Sequence, residues 1–179
     1  MKKTQGFADP RKLPVTRANT PIVPNPGDEV YTCGVFFFNV SAMLKWLESE
    51  SRKTVSVPIS IWPVAEKEEH NIGKAGITRP TIVAEIAPDY RDFRPEIRFN
   101  DWIARGYSLI DGYHRVEKAK QLGLNELPAI VLRMEQHISF LYEGYEKYVN
   151  YWNGKLEAWQ EEAEHLTKRG AVGRESLKG

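Results

Sequence analysis

Apolar positions fall in short bursts along most of this chain and change period only beyond Leu141. Val35-Phe36-Phe37-Phe38 has the bulk and length of a buried strand. Asn39 or Ser41 is placed to cap a short helix reaching about Ser49, with Val40, Leu44 and Leu47 on one face. Val55 to Ile61 alternates with period two. Pro58 has no amide proton to give a ladder, so that strand belongs at an edge, or Pro58 at a strand start. Thr81 to Ile86 is the next strand.

Tyr107-Ser108-Leu109-Ile110 then predicts a strand, and Val116, Ala119 and Leu122 or Leu124 mark one face of a helix. Gly123 fits a left-handed helix terminus, and Leu127 to Leu132 is a strand of buried character. Such short connections predict a parallel strand pair with a right-handed crossover. Past Leu141, apolar residues recur at steps of three or four: Tyr145, Tyr148, Trp152, Leu156, Trp159, Ala163 and Leu166. This is a helical stripe, with a break or hairpin at Asn153-Gly154 as the alternative to one long helix. Its aromatics fit a core that docks on the domain or on a second subunit better than a base-stacking platform.

The flanks lack period. Residues 1–29 hold Pro10, Pro14, Pro21, Pro24 and Pro26, which predicts an extended or disordered arm, lying on the domain surface or on a partner. Residues 65–78 read as an exposed loop, because Gly73-Lys74 lacks the spacing of a Walker phosphate loop. Pro88 to Asn100 reads as a loop or lid, its acids Asp89 and Asp92, with Glu85, serving as a solvated face or completing a site. Residues 171–179 read as a disordered tail after a helical segment at 136–170.

Composition narrows the chemistry. The 179 residues are 41% hydrophobic and 27% charged, which suits one domain with appendages. A net charge of +1 provides no global field toward nucleic acid or membrane, so any anion site is local. The single cysteine, Cys33, excludes a disulfide framework and a cysteine-based zinc site. It has no activating neighbour in sequence and reads as a plain half-buried thiol. No stretch has the length of a transmembrane helix, and Met1 to Gly6 has no signal-peptide run, so the expected compartment is the cytoplasm.

The local anion site falls at Asp111-Gly112-Tyr113-His114-Arg115. With Asp111 as N-cap, the first-turn amides point outward at the positive end of the helix dipole. Gly112 permits close approach of a ligand to the backbone, and His114 and Arg115 add donors suited to phosphate oxygens. Asp is common at N-caps for structural reasons alone. A capping box, however, would carry Glu or Gln where His114 stands, and basic residues in a first turn oppose the dipole unless an anion compensates.

Leu109-Ile110-Asp111-Gly112-Tyr113-His114-Arg115, with Ala119, Gly123 and the strand Leu127-Pro128-Ala129-Ile130-Val131, resembles the ParB/sulfiredoxin superfamily. Arg79-Pro80-Thr81-Ile82-Val83 is similar to an upstream strand of that family. The resemblance implies a small α+β domain over residues 30–135, a mixed sheet with packed helices, binding nucleotide phosphates at the helix N-terminus. Its members include a CTP-hydrolysing partition protein, ATP-dependent sulfiredoxin, nuclease-like domains and plasmid-borne conjugation inhibitors. Tyr113 stands where sulfiredoxin needs its cysteine, which removes that reaction. The turn is not the partition proteins' Gly-Glu-Arg-Arg, and too little chain follows for a DNA clamp.

Carried onto this chain, the resemblance implies ATP or CTP as ligand, possible Mg²⁺, and a nucleotide hydrolase or DNase if the protein is an enzyme. Arg115, Gly112, Tyr113, His114 and Arg79 would bind phosphate. His114 would act as general acid or base, and Asp111 would orient it or bind the metal. The alternative expectation is a non-catalytic interaction protein on the same scaffold. It would regulate a DNA-processing or conjugation machine through the arm or the C-terminal helix, with DNA binding and a dimer both open.

Overall fold

The structure, a computed structural model, describes residues 9–62, 76–94 and 101–175, the last six of these by backbone alone. The glycine–lysine loop at 71–75 and residues 95–100 of the expected lid lie outside the described residues, as do 1–8 and 176–179.

Three strands form one antiparallel sheet: β1 (Val30–Cys33), β2 (Phe36–Asn39) and β7 (Leu141–Glu143), in the order β1-β2-β7. Asn39 ends β2 and caps α1 (Val40–Glu48), its Oδ1 accepting the Ala42 amide at 2.9 Å. The buried face of α1 is Val40, Met43 and Leu47, with Leu44 only partly covered.

The second sheet has the order β3-β6-β4-β5, built from β3 (Val55–Pro58), β4 (Thr81–Glu85), β5 (Tyr107–Asp111) and β6 (Glu126–Leu132). Pro58 closes the edge strand β3, where a missing donor costs no ladder bond. The expected parallel pair of β5 and β6 is not formed. β4 lies between them, antiparallel to β5 and parallel to β6, so β5 and β6 run in opposite directions. β4 is buried at all five positions and therefore takes a central place with a neighbour on each side.

Side-chain alternation gives the mixed sheet two faces. Ile82, Ala84, Ile130 and Leu132 point into the larger core with Phe36, Phe38, Met43, Leu141 and Trp152. Val83, Leu109, Leu127 and Ala129 point the other way, onto Val116 and Ala119 of α2 (Tyr113–Gln121) and onto Trp62. Leu122 and Leu124, expected on that helix face, are exposed instead. The helix stops before them: Gly123, at φ +70°, sends its amide to Lys120 O, and the Leu124 amide goes to Ala119 O.

After the short α3 (Met134–His137), a 3-10 turn and β7, the chain enters α4 (Tyr145–Glu175). This helix is unbroken, about 46 Å long at 1.5 Å per residue, and passes through Asn153-Gly154 without a hairpin. It also occupies Ala171 to Glu175, which the sequence assigns to a disordered tail. Tyr148, Trp152 and Leu156 are buried, whereas Leu166 is exposed. Asn153 does not end the helix because its amide is engaged elsewhere, donating to Leu13 O and accepting from Leu13 N, both at 2.9 Å. Gly154 faces open space. The arm from residue 9 forms turns and bends but no strand or helix, and lies across α4 of its own chain. No helix among the described residues is long and apolar enough to cross a membrane.

Candidate phosphate-binding turn

β5 hands over to α2 through a single residue. Gly112, not Asp111, is the N-cap, in a left-handed conformation at φ +110°. Its carbonyl accepts the first helical bond from the Val116 amide at 2.9 Å. Asp111 is the last strand residue, and its carboxylate caps no amide. It accepts instead from Arg115 Nη2 at 2.6 Å, with each side chain only 12% exposed. A charge-assisted bond to a guanidinium one helical turn away is stronger than a bond to a neutral amide, which explains the exchange.

Glycine is required at 112 for two reasons. The φ angle is one, and space is the other: a Cβ there would stand 2.5 Å from Thr81 Cγ2 and 3.0 Å from Arg115 Nη2. The turn is thus pressed against the start of β4, with Ile82 opposite Asp111. Arg79, two residues before Thr81, is exposed at this same end of the sheet. Arg115 Nε is buried without a hydrogen-bond partner. His114 is half-buried beside it. The structure therefore gathers Asp111, Gly112, His114 and Arg115 at one turn.

Tyr113 has a packing role. It is half-buried against the α2 core, and its hydroxyl is hydrogen-bonded to Tyr31 of β1. Tyr31 Oη is 2.8 Å from Ser108 Oγ, so a strand of one sheet is tied to both sides of the turn in the other. Burial pushes both phenols above their ordinary value. Burial also pushes the half-buried Cys33 thiol up, as expected of an unactivated cysteine.

None of the acids of the expected lid is part of this turn, and of the three only Asp92 is exposed to solvent. Glu85 and Asp89 are each 2% exposed. Glu85 pairs across the ladder with Tyr107, four strand positions from Asp111, or about 13 Å along β5. There, Arg105 Nη2 meets Asp89 Oδ2 at 2.7 Å, and Arg133 Nε meets Glu85 Oε2 at 3.2 Å. Arg133 also reaches Asp92 at 2.8 Å, and Arg105 lies 4.4 Å over the Trp102 ring. Glu85 accepts the Asp89 and Met134 amides, each at 3.0 Å. Burial still pushes the Glu85 carboxyl up. Burial acts the same way on Asp89, but the bonds and charge of Arg105, with Arg91, hold that carboxyl below its ordinary value. His137 is fully buried, with Nε2 2.7 Å from the Glu85 carbonyl and Nδ1 unpartnered; desolvation lowers its pKa to about 4. Sequence reasoning missed Arg105, Arg133 and His137. Their partners are 16 to 52 residues away, so no local spacing marks them.

Fold and turn together define a mixed α+β domain with a strand–glycine–helix turn at one end of its larger sheet. Comparisons with protein-family models, with curated proteins and with solved structures find no match to this chain.

Proposed function

We propose that this protein is a ParB-like nucleotide-binding protein that takes the phosphates of ATP or CTP at the Gly112 turn. The observation that carries the reading is Arg115: its guanidinium is held at the mouth of the helix by Asp111 at 2.6 Å, while its Nε has no partner. A pre-oriented guanidinium beside first-turn amides suits a phosphate oxygen, and an incoming phosphate offers more acceptor oxygens than the Asp111 carboxylate it competes with. Arg79, exposed at the same end, adds positive charge for the outer phosphates.

Among the described residues none makes a resident Mg²⁺ site, because Asp111 is committed to Arg115 and Glu85 and Asp89 are bound at the far end of the strand. For hydrolysis of a nucleoside triphosphate or a phosphodiester, His114 is the general acid or base that the turn itself offers. The test is an equilibrium titration with ATP, CTP and a short DNA duplex, with phosphate release followed in parallel. Arg115→Ala is expected to weaken nucleotide binding at least tenfold; His114→Ala is expected to keep binding and lose turnover. Wild-type affinity in Arg115→Ala would overturn the proposal.

A further inference from the structure

We infer that the face of α4 that seats the N-terminal arm is a docking groove for an extended chain, and that its second occupant is the arm of another copy of this protein. The seat reads main chain. Trp152 Nε1 donates to Arg11 O at 2.9 Å, Tyr145 Oη donates to Pro14 O at 3.0 Å, and Asn153 satisfies both backbone groups of Leu13. Asn is a poor choice for the middle of a long helix on propensity. Its amide does for Leu13 what a neighbouring strand would do, which is the mode by which extended peptides are held.

Side chains make the seat specific for this arm. Lys12 Nζ pairs with Glu157 at 2.7 Å, Gln160 donates to Asp9 at 2.5 Å, and Arg11 lies 4.3 Å over Phe93. Further along, Arg17 donates to the carbonyls of Ile138, Ser139 and Leu141, and Asn39 donates to Ile22 O at 3.2 Å. The arm is thus held from outside rather than by structure of its own.

One turn decides whether the arm returns to its own helix. At 25–28 the Asp28 amide bonds Asn25 O at 3.0 Å, the Asp28 carboxylate takes the Asn25 amide at 2.8 Å, and Gly27 sits at φ +91°. Opening this turn carries residues 9–22 away as a unit. Every bond between arm and seat that one chain loses re-forms in its partner, so the exchange is opposed by the bonds of the opened turn and the entropy of association. Pro24 and Pro26 keep the opened segment extended.

The test uses full-length chains carrying Cys33→Ser. One chain carries Lys12→Cys and the other Glu157→Cys; they are mixed at high concentration and treated with a short bismaleimide. A covalent heterodimer is expected. It should increase several-fold when both chains carry Gly27→Val, since a β-branched residue strains the closed turn at φ +91° but not the opened one. It should be lost when Asn153→Ala is added to the Glu157→Cys chain. A chain with both cysteines, cross-linked when dilute, supplies the internal product; its absence would overturn the seat itself. Internal product without heterodimer, with or without Gly27→Val, overturns the exchange, as does a heterodimer indifferent to Asn153→Ala.

Discussion

The two ends of the mixed sheet carry similar charged residues and use them in opposite ways. At the Glu85 end, Glu85 and Asp89 face Arg133 and Arg105, with Asp92 at the rim, and the innermost pair is only 4% and 3% exposed. Charges that far from water must be matched, and here they are. At the Asp111 end the ion pair is Asp111 with Arg115, and the arginine keeps a buried Nε without a partner beside a helix N-terminus. The first end is closed chemistry that holds the domain together. Buried nitrogens without a hydrogen-bond partner occur at both ends, Trp102 Nε1, Arg91 Nε and His137 Nδ1 at the first and Arg115 Nε at the second. Only the second sets one at the start of a nine-residue helix. The difference teaches that a cluster of charge can belong wholly to the fold, and that what sets the second end apart is the helix N-terminus beside Arg115 rather than an unpartnered nitrogen alone.

The comparison breaks most visibly at the closed end. Arg105→Ala leaves Asp89 buried beside a vacated partner and is expected to cost about 3–5 kcal/mol of stability, read as a lowered urea midpoint. Nucleotide affinity should not change. A loss under about 1 kcal/mol would mean that water reaches Asp89 and that this end is not closed.

His137 gives the same end a pH signature. Its folded pKa is about 4 against the ordinary 6.5, because burial disfavours the imidazolium. Between these values the unfolded chain binds the additional proton. Stability is therefore fully present above pH 6.5 and falls as the pH drops toward 4, by about 3 kcal/mol in all. Denaturant midpoints from pH 7 to 4 in wild type and His137→Gln measure it; equal slopes would remove His137 as the cause.

The sequence made local features legible and left pairings hidden. Gly123 as helix terminus follows from its own backbone chemistry, and the structure has it so. Of the alternatives left open, the structure takes Asn39 over Ser41 as N-cap and the edge strand over a strand start for Pro58. The place of β4 between β5 and β6 is set by long-range pairing, which no connection length encodes. Asn153-Gly154 carries a helix-ending signal that tertiary bonds to Leu13 override. Of the candidate site, the donors at 112, 114 and 115 were readable from spacing, but the role of Asp111 was not. An N-cap and an i,i+4 partner of Arg115 are the same letter in the same place, and only geometry separates them.

The smallest expected effect tests the open end directly. Gly112 and Gly123 flank α2, both at positive φ, so alanine strains the backbone at either, by about 1–2 kcal/mol. They differ in what a methyl group would meet: nothing within 4 Å at Gly123, but Thr81 Cγ2 at 2.5 Å and Arg115 Nη2 at 3.0 Å at Gly112. Gly123→Ala should therefore lose stability alone. Gly112→Ala should lose about 1–3 kcal/mol and also displace the guanidinium, so that nucleotide affinity falls with it. Titration of both variants beside their denaturant midpoints separates the two effects. If affinity fell equally in both, general loosening of α2 would account for it; a fall confined to Gly112→Ala places the phosphate against the face of the turn that Thr81 and Arg115 share.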